Sequence, residues 1–343
     1  SSVVVAVVAC VYKRMSRGQP IIEFSPDVVL LLLLIAWAIV TLPFSMWPGG
    51  SLNLLTSQFL KAAVCFLLLS HAVTEPRQLW GLCWCLVLCA GPLALTAVGN
   101  YAGGVYLQGG GRIVGYESGL TGNPNDMALM LNLLLPLCAA LFLGSRNLLT
   151  KLLLGAIAGM IVAAIIVTFS RAGFIMLVVI TLAYAWRLRK RPQRIWIPAI
   201  LALGVMALPL VPADFYNRIN TIVNYEEDRS NSAQERLSDM KVATQVALAN
   251  PIKGAGLGQG TLAMNKARGD TWKIIHNLYL QVAVDLGMVG LFLFVGLMVQ
   301  CFRATGRILY RDPGDPPPPE QLELVAEALR ISLLGFAVAV MFY

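Results

Sequence analysis

An all-α fold that crosses a membrane many times is what this sequence predicts, and three observations carry the expectation. Hydrophobic residues make up 57% of the 343 and charged residues only 13%, with a mean hydropathy of +0.71, far from the balance of an ordinary soluble domain. The apolar residues gather into runs close to the roughly 20 residues that a helix needs to cross a bilayer. Lysine and arginine fall in alternate loops, as they do when a polytopic chain is oriented by its positive charge.

Taken in order, runs of spanning or near-spanning length occupy 26–47, 54–71, 79–98, 126–144, 148–168, 172–187, 195–211, 277–302 and 322–343. A shorter run, 3–12, reads as the tail of another helix. The sequence thus predicts about ten spans, two of them cut by the ends of the chain. One set of alternate loops holds Lys13, Arg14 and Arg17; Arg77; Arg146 and Lys151; Arg187, Arg189, Lys190, Arg191 and Arg194; and Arg303, Arg307 and Arg311. That set is cytoplasmic by the positive-inside rule. The opposite loops, nearly free of basic residues, are extracytoplasmic. The expected organisation is membrane helices over 1–211, an outer loop over 212–275 and further membrane helices over 276–343.

The net charge of +8 is therefore mainly a topology signal, and nucleic acid is not an expected partner. No signal peptide is visible. The cysteines (Cys10, Cys65, Cys83, Cys85, Cys89, Cys138 and Cys301) all lie in apolar runs, which argues for packing and against a disulfide framework. The stretch "RDPGDPPPPEQ" at 311–321 reads as a stiff polyproline linker.

Two outer segments interrupt the helices. Residues 99–125 are glycine-rich, contain Tyr101, Tyr106, Tyr116 and Arg112, and end in "TGNPND", which includes Asn123 and Asn125. Residues 212–275 form a loop of a length that is usually functional or disordered. Inside it, "SAQERLSDMKVATQVALANP" opens on a capping box, Ser232 to Glu235. Leu237, Met240, Thr244, Ala247 and Leu248 recur near helical spacing, and Pro251 ends the helix. Gly254, Gly256 and Gly258 follow. They make either a plain turn or a place where backbone amides approach phosphate; with no preceding strand they are not a dinucleotide fingerprint.

Polar residues then narrow the chemistry. Arg171 lies at the outer tip of the hairpin between runs 148–168 and 172–187, Arg236 in the outer-loop helix, and His276 where that loop re-enters the membrane. Two guanidiniums and an imidazole near headgroup depth suit a lipid-linked diphosphate, because Arg pairs bidentately with phosphate oxygens and stays charged. An imidazole can accept a proton from an attacking hydroxyl. The alternatives are ordinary: Arg171 snorkelling to the interface, Arg236 pairing with Glu235 or Asp239, and His276 capping its helix beside Asn277. Asp285 lies too deep in its run to be decoration and needs a polar partner or a water cavity.

"SRAG" on a membrane hairpin, an outer loop with Arg and then "NPIKGAGLG", "HNLYLQVAVDLGMVG", and "GNPND" before an earlier span together resemble the O-antigen ligase family. The resemblance runs from about 115 to 300. It implies an integral-membrane glycosyltransferase of GT-C-like type with about twelve spans, more than are visible here. Members move a glycan from undecaprenyl diphosphate to an acceptor in the periplasm, with no metal and no cofactor. It implies Arg171, Arg236 and His276 as catalytic positions. The substrate-binding candidates read beside them are Asn277, Asn123, Asn125, Arg112, Gly254, Gly256, Gly258 and Asp285, the last standing where many members carry Glu. The expected donor is an undecaprenyl-diphosphate-linked glycan, and the acceptor is lipid A–core or another glycan. The expected location is a bacterial inner membrane with the active site on the periplasmic side.

Ligation to lipid A–core, polymerisation of repeat units and transfer to protein share these motifs. A transporter of lipid-linked sugars would need charged or broken helices near the midplane and internal repeats, whereas only Lys61, Asp285 and Arg330 are charges well inside spans. A metal-dependent transferase would lean on Glu226, Glu227 and Asp228, which read as solvated surface.

Overall fold

The structure is a computed structural model. It describes residues 2–106, 113, 115, 122–189, 232–269, 272, 274–310, 314 and 316–342, and the side chains of these except at 2–4 and 232–236. Every regular element among them is a helix: α1 (Ser2–Ser16), α2 (Pro26–Thr41), α3 (Pro48–Leu54), α4 (Leu60–Ala72), α5 (Pro76–Ala102), α6 (Pro124–Gly144), α7 (Leu148–Val167), α8 (Arg171–Leu188), α9 (Ser232–Ala249), α10 (Gly260–Arg268), α11 (Leu278–Leu309) and α12 (Glu320–Ala339). A 3-10 turn, Leu42–Phe44, extends α2, and a π turn, Leu55–Phe59, joins α3 to α4.

Among the described residues, seven helical stretches are long and apolar enough to cross a membrane: Pro26–Phe44, Pro48–Ala72, Pro76–Ala102, Pro124–Gly144, Leu148–Val167, Arg171–Leu188 and Leu278–Leu309. The chain is thus an all-α, polytopic membrane protein. The remaining expected runs divide three ways. Run 195–211 lies outside the described residues, as do Glu226, Glu227 and Asp228. Run 3–12 is part of α1, and run 322–343 is largely α12, a helix that carries Glu323, Glu327 and Arg330.

The chain separates into two compact units, Ser1–Gln78 with Ser232–Ala304, and Leu79–Asn231 with Thr305–Tyr343. In the second unit α6 is the central helix, packed against α7, α8 and α12. Its core joins Val87, Ala90, Ala94 and Ala97 of α5 to Leu131 and Leu141 of α6, Ile161 and Ile165 of α7, and Leu324 and Ala328 of α12. Alanines three and four apart on α5 put small side chains into this core, a composition common where membrane helices pack together. At the far end of α8, Arg187 Nε donates to the buried Glu327 carboxylate at 2.7 Å, so a charge inside α12 is paired within the unit.

In the first unit a small core gathers Ala243 and Ala247 of α9, Ala255, Ala263 and Met264 around α10, and Ile275, Ala283 and Val284 at the start of α11. Here two expectations need correction. The predicted apolar face of α9 is not the one buried: of Leu237, Met240, Thr244, Ala247 and Leu248, only Ala247 is buried, while Leu237 and Leu248 are exposed. The face turned inward is Asp239, Ala243 and Ala247, because small side chains allow α10 close and Arg268 of α10 forms an ion pair with the buried Asp239 and donates to Ser238 Oγ at 3.1 Å. The run 277–302, read as uninterrupted, is also broken: Gly287 has φ 69° and ψ −174° in the middle of α11.

Candidate functional site

In the first unit the site is organised by that break. A kink in a membrane helix frees backbone groups that must find partners away from water. Val284, Asp285 and Leu286 lose their places in the helical ladder, and each carbonyl is taken. Ala255 N–H donates to Val284 O at 2.7 Å and Gly256 N–H to Asp285 O at 2.8 Å. The Trp37 indole N–H donates to Leu286 O at 2.8 Å. On the far side of the break, Met288 N–H donates to Pro251 O at 2.7 Å. The 251–258 loop therefore lies in the notch of α11 as a substitute for the missing helical turn.

Its glycines are there for that fit. Gly254, Gly256 and Gly258 all have positive φ, where side chains are strained. A Cβ on Gly254 would lie 2.5 Å from Asp285 O; one on Gly256 would strike the Ser45 side chain, and one on Gly258 the Leu54 side chain. The opposite edge of the loop is held as firmly, by Met46 N–H to Ala255 O at 2.8 Å and Ser51 Oγ to Leu257 O at 2.9 Å. The amides that the sequence offers to phosphate are taken: Gly254 N–H goes to Asn250 O, Gly256 N–H to Asp285 O and Gly258 N–H to Asp285 Oδ2. Of the two possibilities the sequence leaves open, the turn describes these glycines.

Asp285 has the polar partner its depth demands. It is buried, and its Oδ2 accepts Gly258 N–H at 3.0 Å where the loop enters α10. A carboxylate at the amino end of a helix meets the positive end of its dipole, so Asp285 ties α10 to the broken helix. Asn277 is the cap of α11: its Oδ1 accepts Leu280 N–H at 3.0 Å, and its carbonyl accepts Gln281 N–H at 2.9 Å. His276 precedes this cap, half-buried, and follows Ile275, which is buried in the core shared with Ala243 and Ala247 of α9. Arg236 occupies the second turn of α9, seven residues before Ala243. Asp239, on the same helix, is held by Arg268.

In the second unit Arg171 is the first residue of α8. The turn before it is tight and strained. Phe169 has φ 52°, the one non-glycine with positive φ among the described residues, and is buried with its ring 6.0 Å from that of Tyr101. Such a backbone costs of order 1–3 kcal/mol and persists only where its surroundings over-determine it. Thr168 Oγ donates to Ile165 O at 2.6 Å, and Ser170 Oγ caps α8 by accepting Gly173 N–H at 3.2 Å. Gly173 allows the closest approach of α6, since a Cβ there would lie 2.6 Å from Ala128 Cβ. Ser170 and Gly173 of "SRAG" thus each have a local structural reason.

The "GNPND" stretch starts α6. Asn123 Oδ1 accepts Asn125 N–H at 2.9 Å, Pro124 opens the helix and Asp126 lies in its first turn. Asn123 and Asn125 are therefore at a capped helix start, and α6 and α8, joined through the antiparallel α7, begin at the same end of this unit. Arg112 lies outside the described residues. Among the described residues no group of three or more His, Cys, Asp or Glu has the arrangement of a metal site. Of three residues that shape this geometry, Asn132 and Trp37 belong to none of the sequence motifs, and Gly287 lies within "HNLYLQVAVDLGMVG" without standing out there. Asn132 is detectable as a lone amide in an apolar run.

A comparison with curated proteins finds no match. Residues 156–295 match the family model described as O-antigen ligase, a stretch that takes in Arg171, Arg236, His276 and the broken helix but stops short of Asn123, Asn125 and Arg112. This segment of the chain, from within α7 through the first half of α11, is similar to the O-antigen ligase family.

Proposed function

We propose that the protein transfers a glycan from undecaprenyl diphosphate to an acceptor on the periplasmic face of a bacterial inner membrane, in the ligation of O-antigen to lipid A–core. The family match supports glycan transfer of the ligase or polymerase kind. The observation that carries the assignment of residues is the placement of Arg171. A cation at the first position of a helix meets the positive end of the dipole, an arrangement unfavourable by about 0.3–1 kcal/mol. Here it stands on a strained turn fixed by Phe169, Ser170 and Gly173. A helix amino terminus and a guanidinium at one point favour an anion.

In this reading Arg171 and Arg236 neutralise the diphosphate as it departs. His276 accepts the proton of the acceptor hydroxyl, the hydroxyl oxygen bonds to C1 of the first sugar, and the bond from C1 to the diphosphate oxygen breaks. Undecaprenyl diphosphate leaves with that electron pair. No cofactor or metal is invoked, because the arginines supply the charge that a cation would.

The test is incubation of purified protein with undecaprenyl-diphosphate glycan and either lipid A–core or a second lipid-linked repeat unit. Sugar on lipid A–core is the expected product. Lengthened lipid-linked glycan alone would make the protein a polymerase, and no transfer to either would overturn the reading.

A further inference from the structure

We propose that Asn132 is a positioning residue for Arg171, an inference that rests on the catalytic role assigned to Arg171 above. Asn132 is fully buried in the middle of α6, amid an otherwise apolar stretch. Its side-chain amide donates to Ala128 O at 2.8 Å on its own helix and to Gly173 O at 3.0 Å in the first turn of α8. Both partners are carbonyls, so the NH2 group must face them; the alternative amide orientation would set three oxygens together. Asn132 Oδ1 is buried with no hydrogen-bond partner among the described residues. An apolar residue at 132 would carry no such penalty, so an asparagine here serves the fork that its nitrogen makes and not the general stability of the core.

That fork grips α8 two residues after Arg171. Gly173 already lies against Ala128 too closely for a Cβ, and the donated hydrogen bond sets the rotation and height of the first turn of α8 against α6. Pro136, one turn further along α6, has no N–H to return to the Asn132 carbonyl, so α6 is loosened at the position where its side chain reaches across. The bond also joins two sequence motifs that share no residue: α6 begins at "GNPND" and α8 at "SRAG", and Asn132 is the side chain that locks one to the other. Arg171 on an unlocked α8 would keep its charge and lose its aim, and a misplacement on the order of 1 Å is enough to cost about a hundredfold in rate.

The experiment is a double-mutant cycle in the transfer assay, with kcat and donor KM measured separately. Asn132→Asp removes the donor at nearly constant volume; Asn132→Leu removes it while keeping an apolar residue that a membrane helix accepts, and serves if the aspartate variant fails to accumulate. With Arg171 intact, either variant is expected to lower kcat about tenfold with less than threefold change in KM. In the R171K background the same variant should lower kcat less than twofold, because residues acting through one group are not additive. The same factor in both backgrounds, or near-normal kcat with Arg171 intact, overturns the inference while leaving the role of Arg171 in place. Normal transfer by R171K alone removes that role and this inference with it.

Discussion

Gly287→Ala tests whether the broken helix is held open by the loop that fills it, and Gly269→Ala supplies the control within the same unit. Both glycines have positive φ, 69° at Gly287 and 100° at Gly269. Alanine at either position bears the left-handed backbone penalty of roughly 1–2 kcal/mol. Only at Gly287 does the new Cβ meet anything: it would collide with the Ile252 carbonyl and lie 2.9 Å from Pro251 O, whereas at Gly269 nothing lies within 4 Å. To relieve that collision the 251–256 backbone must withdraw from α11. It then gives up Met288 N–H to Pro251 O, Ala255 N–H to Val284 O and Gly256 N–H to Asp285 O, at about 1 kcal/mol each, with buried groups left unpaired adding to that. The expected destabilisation is about 4–5 kcal/mol for Gly287→Ala against about 1–2 for Gly269→Ala. Equilibrium unfolding of purified protein in mixed micelles, titrated with SDS and followed by tryptophan fluorescence, reads the difference. Trp37 donates directly to the broken turn, so its emission should respond to the first change and not the second. Two variants within 1 kcal/mol of each other would mean that the loop and the kink are independent, and the account of the notch would fall.

Three further outcomes are expected. Arg171→Lys and Arg236→Lys should each lower transfer by roughly thirty- to a thousandfold, since lysine keeps charge and loses the bidentate fork; normal rates in both, at unchanged membrane yield, would remove the diphosphate clamp. His276→Ala should reduce turnover with donor binding nearly intact and His276→Gln should fail to restore it, whereas Asn277→Ala should cost only the cap, about 1 kcal/mol of stability; the reverse pattern would exchange the two roles. Transfer should survive EDTA, and loss on chelation with rescue by Mg²⁺ or Mn²⁺ would shift attention to Glu226, Glu227 and Asp228.

Much of the scaffold can be read from residues alone, because a bilayer permits few solutions. Long apolar runs become helices, and Asn123-Pro124, Asn147 and Ser170 mark helix starts by chemistry that needs no tertiary context. The end of α9 is equally plain from Pro251. What periodicity does not show is which face of α9 turns inward. That choice depends on a partner, Arg268, held in another element, and on alanines small enough to admit it. The break in α11 is hidden for the same reason: "VDLGMVG" has a spanning helix's hydropathy, and only the 251–258 loop makes an opened backbone tolerable there. Among the candidate residues, Asn123, Asn277, Asp285 and the loop glycines stand out in the sequence as special, but the structure gives them partners within the protein. A polar side chain that completes a backbone and one that meets a substrate look alike in sequence.

The bond from Trp37 to Leu286 has a consequence for the birth of the protein. Its two ends are 249 residues apart in the chain. At the usual pace of synthesis, about 5–20 residues per second, roughly 12–50 s pass between the emergence of the first end and the second. Throughout that interval α2 sits in the bilayer with its indole N–H lacking its final acceptor, and the Ser45–Ser51 turn waits for the loop it will clasp. Membrane insertion and assembly of the first unit are therefore separate events in time, the second following only once α11 has been made. A chain truncated before residue 286 should accumulate with its early spans inserted and exposed to quality-control proteases. Substitutions in the notch should accordingly show first as lower yield in cells, before any effect on rate can be measured.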